Sequence, residues 1–261
     1  MNLSVKRQKD TWENLAGLDP YWSILSDPNK LENKWVINDF YANGKEQVRK
    51  ILTILEESGI KINKEMALDY GCGAGRLSEP LSEYFSRVVG VDFSQNMIDL
   101  AKKHNKHINL TYIPTNGKDL SEFKDQTFDF VISLITLQHS PAAVQYKLIE
   151  EIVRVLKPGG VAIFSVTTIT NWQTKIINFL YYLSPKLTNY ILSVHERIRG
   201  SKTAYYQRGI SFQVFPIRKR RIESILEGTK WKYLKTTELN WNSYETLELY
   251  IVSSNIASSL H

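Results

Sequence analysis

The run Leu68-Asp69-Tyr70-Gly71-Cys72-Gly73-Ala74-Gly75-Arg76 restricts the fold more than any other stretch. Met66 to Tyr70 reads as a short buried strand, and a helix is expected from about Arg76 to Phe85. Between them stand three alternating glycines. Without side chains, a ligand can lie against the backbone and take hydrogen bonds from the loop amides. A dinucleotide loop would read GxGxxG and place a pyrophosphate at the helix N-terminus. Here the spacing is GxGxG, with an acid two residues before the first glycine, which suits a ligand without a pyrophosphate. Asp69 is placed to accept from an ammonium group. The alternative is a plain strand-to-helix turn.

The flanking sequence repeats that unit. Arg87–Asp92, Leu110–Ile113, Phe128–Leu134 and Val161–Val166 read as strands. Ser94 is an N-cap for a helix to Lys103, and Ser140-Pro141 opens another to Leu156. Pro158-Gly159-Gly160 marks a tight turn into the fifth strand. Ile37–Glu57 has helical apolar spacing and ends at Ser58-Gly59, whereas the first thirty or so residues look irregular. Ile217–Leu226 reads as a helix, and Trp231–Leu239 and Thr246–Val252 as two last strands. Alternation of this kind implies a mostly parallel sheet with helices on both faces.

Open α/β sheets bind ligands beyond the carboxyl ends of their strands, so the residues there are the candidates. Asp92 ends the second strand, where an acid can hold both hydroxyls of a ribose; alone it could equally be a turn or helix-start acid. Phe93 and Met97 could flank a base or lie in the core. Asn116, beside Gly117 after the third strand, could pair with an adenine edge through an amide that both donates and accepts, or simply build an Asn-Gly turn. Ser133 and Leu134 end the fourth strand beside the glycine loop, and His139 follows in the same segment.

Composition excludes several classes. One cysteine, Cys72, rules out an intrachain disulfide framework and a Cys-type zinc site. His104 and His107 lack an accompanying carboxylate cluster and read as surface residues, so no metal site is expected. There is no signal-peptide core, and the longest apolar run, Ile176–Leu183, is too short to span a bilayer; a cytoplasmic protein is the simplest reading. The net charge of +6 is local. Between Asn171 and Arg221 ten Lys or Arg face one acid, Glu196, giving about +9 there and about −3 elsewhere.

Taken together, Leu68–Val166 resembles the SAM-binding core of class I S-adenosylmethionine (SAM) dependent methyltransferases, in the branch with a Gln-His pair after the fourth strand. Trp35, Phe40, Tyr41 and Gly44 resemble the lead-in helix of that branch, which closes over the cofactor. The resemblance implies an α/β doubly wound sheet of order 3-2-1-4-5-7-6, its last strand antiparallel, with N-terminal helices and a helical insertion after the fifth strand. It makes SAM the cofactor. Asp69, Gly71, Cys72, Gly73, Gly75 and Arg76 become the methionine-side loop and Asp92 the ribose acid. Asn116 falls where many members carry an adenine-contacting Asp, a departure from the pattern. Residues 1–60 become a lead-in and lid, and 61–261 the methyltransferase domain, with 168–215 as a basic acceptor cap.

Methyl transfer from a sulfonium needs an aligned nucleophile and, for a hydroxyl, a base. His139 is the candidate base, or else a structural residue holding the Ser140-Pro141 helix start. His195, Glu196, Tyr205, Tyr206 and Arg208 in the insertion are weaker candidates. The expected reaction is O- or N-methylation of a small-molecule or biosynthetic acceptor. Arg197, Arg199 and Arg208 could recognise an anionic, sugar- or lipid-linked one, and the basic stretch could touch an anionic membrane surface; a solvated basic face is the plainer reading. The sequence has no Asn-Pro-Pro-Tyr-like motif for flipped bases, which argues against DNA. RNA methylation, or a non-catalytic SAM-binding regulator, stands as the alternative.

Overall fold

The structure is a computed structural model that describes residues 3–168, 214–227, 229, 231–242 and 245–253. The insertion, with Arg197, Arg199, Arg208, His195, Glu196, Tyr205 and Tyr206, lies outside the described residues.

Seven strands form one sheet of order β3-β2-β1-β4-β5-β7-β6. They are β1 (Met66–Tyr70), β2 (Arg87–Asp92), β3 (Leu110–Pro114), β4 (Phe128–Ser133), β5 (Leu156–Thr168), β6 (Lys232–Asn242) and β7 (Glu245–Ser253). Neighbours from β3 through β5 are parallel, while β7 runs antiparallel to both β5 and β6. The order and the reversed strand are those the sequence implies.

Alternate residues of each central strand feed two cores. Leu68, Val131 and Phe164 pack on one face with α6 (Ala142–Val155) and α7 (Lys219–Glu227). Ala67, Phe130, Ile132 and Ile163 pack on the other with α3 (Ile37–Glu57), α4 (Ser78–Leu81) and α5 (Gln95–His104). Both faces are covered, so the strands read as apolar runs rather than alternating ones.

Several boundaries differ from the sequence reading. The first thirty residues are mostly helical: α1 spans Leu3–Leu18, α2 Pro20–Ile24, and a 3-10 turn Pro28–Lys30. Leu15 is the buried hydrophobic side chain of α1 among the described ones, so no apolar stripe announces the helix. The helix expected from Arg76 to Phe85 shrinks to α4. Pro80 has no N–H for the Arg76 carbonyl, and Gly44 of α3 packs against that carbonyl instead. The cap of α6 is Pro141 rather than Ser140, without a side-chain cap bond. β5 takes in the Pro158-Gly160 turn, with an irregular register where Phe128 pairs with Leu156. Ile217 precedes α7 and bridges to Thr168.

Candidate active site

The loop after β1 is tied down on all sides. The Gly71 and Cys72 amides donate to the Val91 carbonyl at 2.8 and 3.0 Å, which binds the loop to β2. Gly71, Gly73 and Gly75 take φ of +75°, +52° and +85°, where other residues are disfavoured. Each is also overlaid by a neighbour. Thr136 presses on Gly71, the tip of Ile24 on Gly73 and the Tyr112 hydroxyl on Gly75, so any Cβ would collide. The glycines thus serve close packing as well as a backbone cradle. The Cys72 thiol is buried, 3.7 Å from the Gly73 carbonyl.

Two buried acids flank this loop. Asp92 accepts from the Gly73 amide at 3.0 Å through one oxygen and from the Ser94 amide at 2.8 Å through the other. It therefore couples the loop to the start of α5, which Ser94 caps by accepting from Met97 N at 3.3 Å. Asp69 accepts from the Ser78 hydroxyl at 2.6 Å. Burial pushes both carboxyls up to about 6, against the pull of these hydrogen bonds. For Asp92 the nearby Glu13 adds to the rise. Arg76 is 4% exposed and donates through Nη1 to Asn43 Oδ1 (3.0 Å) and Gln47 Oε1 (2.7 Å) of α3. Desolvation pushes its guanidinium down to about 10, against the attraction of Asp69.

The remaining sequence candidates divide. Tyr41 donates to the Ala74 carbonyl at 2.8 Å, holding α3 on the loop, and burial raises its phenol. Trp35 donates to the Leu25 carbonyl at 3.0 Å and packs edge-on to Phe40, so it braces the lead-in segment. Phe93 covers Gly117, while Met97 is core. The Asn116 side chain is committed to its own turn: it accepts from Lys118 N at 2.7 Å and Asp119 N at 3.2 Å and donates to Asp119 at 2.8 Å. Ser133 ends β4, its hydroxyl buried and without a hydrogen-bond partner; Leu134 is half-buried beside the α3 core. His107 pairs with Glu79 at 3.3 Å and His104 with Tyr21 at 3.1 Å.

Beyond β4 the chain turns sharply. Ile135 has φ +57°, and its amide donates to Ser165 Oγ at 2.7 Å. The 3-10 turn Leu137–His139 follows, with His139 only 8% exposed. Its ring lies edge-on to Trp12, centroids 5.2 Å apart, and its carbonyl accepts from Gln8. Gln145 Nε2 ties this turn to the post-insertion chain, donating to Ser140 O at 2.7 Å and Phe215 O at 2.6 Å.

Sequence reasoning missed Gln8, Trp12 and Glu13 of α1. Glu13 accepts from Ser94 Oγ at 3.0 Å, Gln95 N at 2.8 Å and Asn96 N at 3.3 Å. It also missed Thr115, whose Oγ1 is a second buried hydroxyl without a hydrogen-bond partner on this edge. No local pattern marks a contact between residues some eighty positions apart.

Residues 68–164 match the family described as a methyltransferase domain, and the chain has the class I SAM-dependent methyltransferase fold. A ubiquinone biosynthesis O-methyltransferase of Coxiella burnetii is 36% identical over 112 residues, 42% of this chain and 46% of that protein. Its counterpart from Hydrogenovibrio crunogenus is 29% identical over 147 residues, 55% of this chain and 59% of that one. The chain thus spans about half the length of these relatives. Among solved structures, magnesium protoporphyrin IX methyltransferase of Synechocystis PCC 6803 with bound SAH aligns with TM-score 0.59 at 17% identity, covering 95% of this chain and 98% of that one.

Proposed function

We propose that this chain binds SAM and transfers its methyl group to an oxygen of a small-molecule acceptor. The carrying observation is Asp92 at the carboxyl end of β2, hydrogen-bonded to the glycine loop and to the start of α5. Each carboxylate oxygen keeps a further lone pair, so Asp92 can accept two ribose hydroxyls without releasing those amides. The GxGxG spacing, without the pyrophosphate-binding GxGxxG pattern, supports an unphosphorylated ligand beside this loop. The unpaired Thr115 and Ser133 hydroxyls on the same edge supply hydrogen-bonding capacity.

SAM, when bound, supplies an electrophilic methyl on a sulfonium leaving group. The chain's residues bind, orient and keep out water. Asp69, beside the glycine loop, would hold the methionine side. His139, in the turn beyond β4, would take the proton from the acceptor hydroxyl. The O-methyltransferase names of the relatives support oxygen as the atom. The basic stretch 171–221 supports an acceptor bearing phosphate or carboxylate, with Arg197, Arg199 and Arg208 as its forks. Among the described residues no helix is long and apolar enough to cross a membrane.

Calorimetry with SAM and with NAD tests the cofactor. Micromolar-scale binding of SAM, about −8 kcal/mol, is expected; heat with NAD and none with SAM would overturn the reading. An extract incubated with methyl-labelled SAM then identifies the acceptor by product mass. With that acceptor in hand, His139→Ala should lower kcat by about 10²- to 10⁴-fold at nearly constant SAM affinity. Unchanged turnover per folded molecule would make His139 structural.

A further inference from the structure

α1 touches both halves of the site through two consecutive residues. Glu13 sits on the first amides of α5, beside Asp92, on the cofactor side. Trp12 lies against the His139 ring on the acceptor side, and Gln8, one turn earlier, grips the His139 carbonyl and Ser140 Oγ. Asp92 and His139 are both 8% exposed in this arrangement.

The fastening is mostly polar. Leu15 is the one apolar α1 side chain buried among those described, against three hydrogen bonds taken by the Glu13 carboxylate. Charge-assisted bonds to the open amides of a helix start are strong for their size, yet water can replace them when the segment lifts. Such an element opens more readily than one held by a core.

We propose that Glu13 is a positioning residue that couples the two halves: its seat on α5 sets Trp12 and Gln8 against the His139 turn, so closing over the cofactor also fixes the acceptor side. The inference rests on the SAM reading only for what closes the segment, not for the coupling itself. A ligand held by Asp92, which is itself bonded to the Ser94 amide, would stiffen the start of α5 on which Glu13 sits. The 137–140 turn would then tighten without touching that ligand.

Hydrogen exchange on the full chain, with and without S-adenosylhomocysteine, tests this. In the unliganded protein, Glu13→Ala should speed exchange of residues 3–18 and, with it, of 137–140 by about ten- to a hundredfold, while β1 and β4 stay protected. Glu13→Gln, which keeps an acceptor oxygen, should restore part of the protection. Trp12→Ala should loosen 137–140 and leave Gln95 and Asn96 protected. In the wild type S-adenosylhomocysteine should slow exchange at 137–140, and Glu13→Ala should remove that effect and speed its release about tenfold. Unchanged exchange at 137–140 in unliganded Glu13→Ala overturns the coupling, whatever the ligand does. Failure of S-adenosylhomocysteine to bind wild type overturns the cofactor reading instead, and the unliganded comparison still decides the role of Glu13.

Discussion

The glycine loop and α1 share one edge of the sheet but are held there by different forces. The loop is locked by packing: each glycine lies under a neighbouring side chain, and its amides are bound to Val91 and Asp92. α1 is held by hydrogen bonds to the ends of other elements, with little apolar burial. Packing of the first kind tolerates almost no added volume. Fastening of the second kind gives up little when it opens. A proposed binding platform and the segment beside it would need those opposite properties, and the chain has steric fit in one place and exchangeable polar contacts in the other.

Gly75→Ala should show the contrast most strongly. The new Cβ meets the Tyr112 hydroxyl, and φ is +85°. Overpacking and left-handed strain together should cost about 3 kcal/mol, read as a fall in thermal midpoint of roughly 10 °C. A fall under 2 °C or so would mean the loop can shift, and the contrast would collapse.

Asp92→Ala should weaken S-adenosylhomocysteine binding about ten- to a hundredfold, or roughly 1.5–3 kcal/mol. Since burial holds the Asp92 carboxyl near 6, wild-type affinity should be about tenfold lower at pH 5 than at pH 7. Calorimetry at the two pH values checks this, and Asp92→Asn should flatten the difference. Stability of the unliganded protein should run the other way. Asp69 and Asp92 have folded values raised to about 6, so their contribution is complete below the unfolded carboxylate range and is lost as pH rises through 6. Measured relative to Asp92→Asn, the melting temperature of the wild type should fall as pH rises from 4 to 7, and a relative rise would contradict the raised value of Asp92.

Gly44→Ala should act on stability as strongly as Gly75→Ala. Its Cβ would overlap the Arg76 backbone carbonyl, which cannot rotate away, so α3 must shift off the loop, and even with the helix preference of alanine the net loss should be about 2–3 kcal/mol in denaturant unfolding. Smallest on global stability is Leu15→Ala. Because α1 can lift without the core unfolding, the main transition should move by under about 1 kcal/mol while proteolysis within residues 3–18 accelerates. A loss of 3 kcal/mol or more would show α1 to be part of the core after all.

The bounds of α3, β1, β2 and α5 were legible because each is written in local periodicity and caps: Ile37–Glu57 and Ser94 needed no distant information, whereas the sheet order came only with the family resemblance. The same logic placed Asp92 and the three glycines at one sheet edge. It failed where a distant partner or a single atom decides. α1 is fixed by Ser94, Gln95 and His139, far along the chain. α4 starts later than expected because Pro80 has no amide for the Arg76 carbonyl. The Leu25 carbonyl that takes the Trp35 indole N–H was likewise not marked by any local pattern.

Ile135 carries a consequence for anyone improving this chain. A β-branched residue at φ +57° costs about 1–3 kcal/mol relative to a residue at ease there. Screens for heat resistance should therefore return Ile135→Asn or Ile135→Gly early. Those winners would need sorting by turnover before being kept, because the same backbone bend brings Thr136 onto Gly71 and leads into the His139 turn. Robustness and the proposed activity would then trade against each other at a single codon, a compromise natural proteins often leave unoptimised.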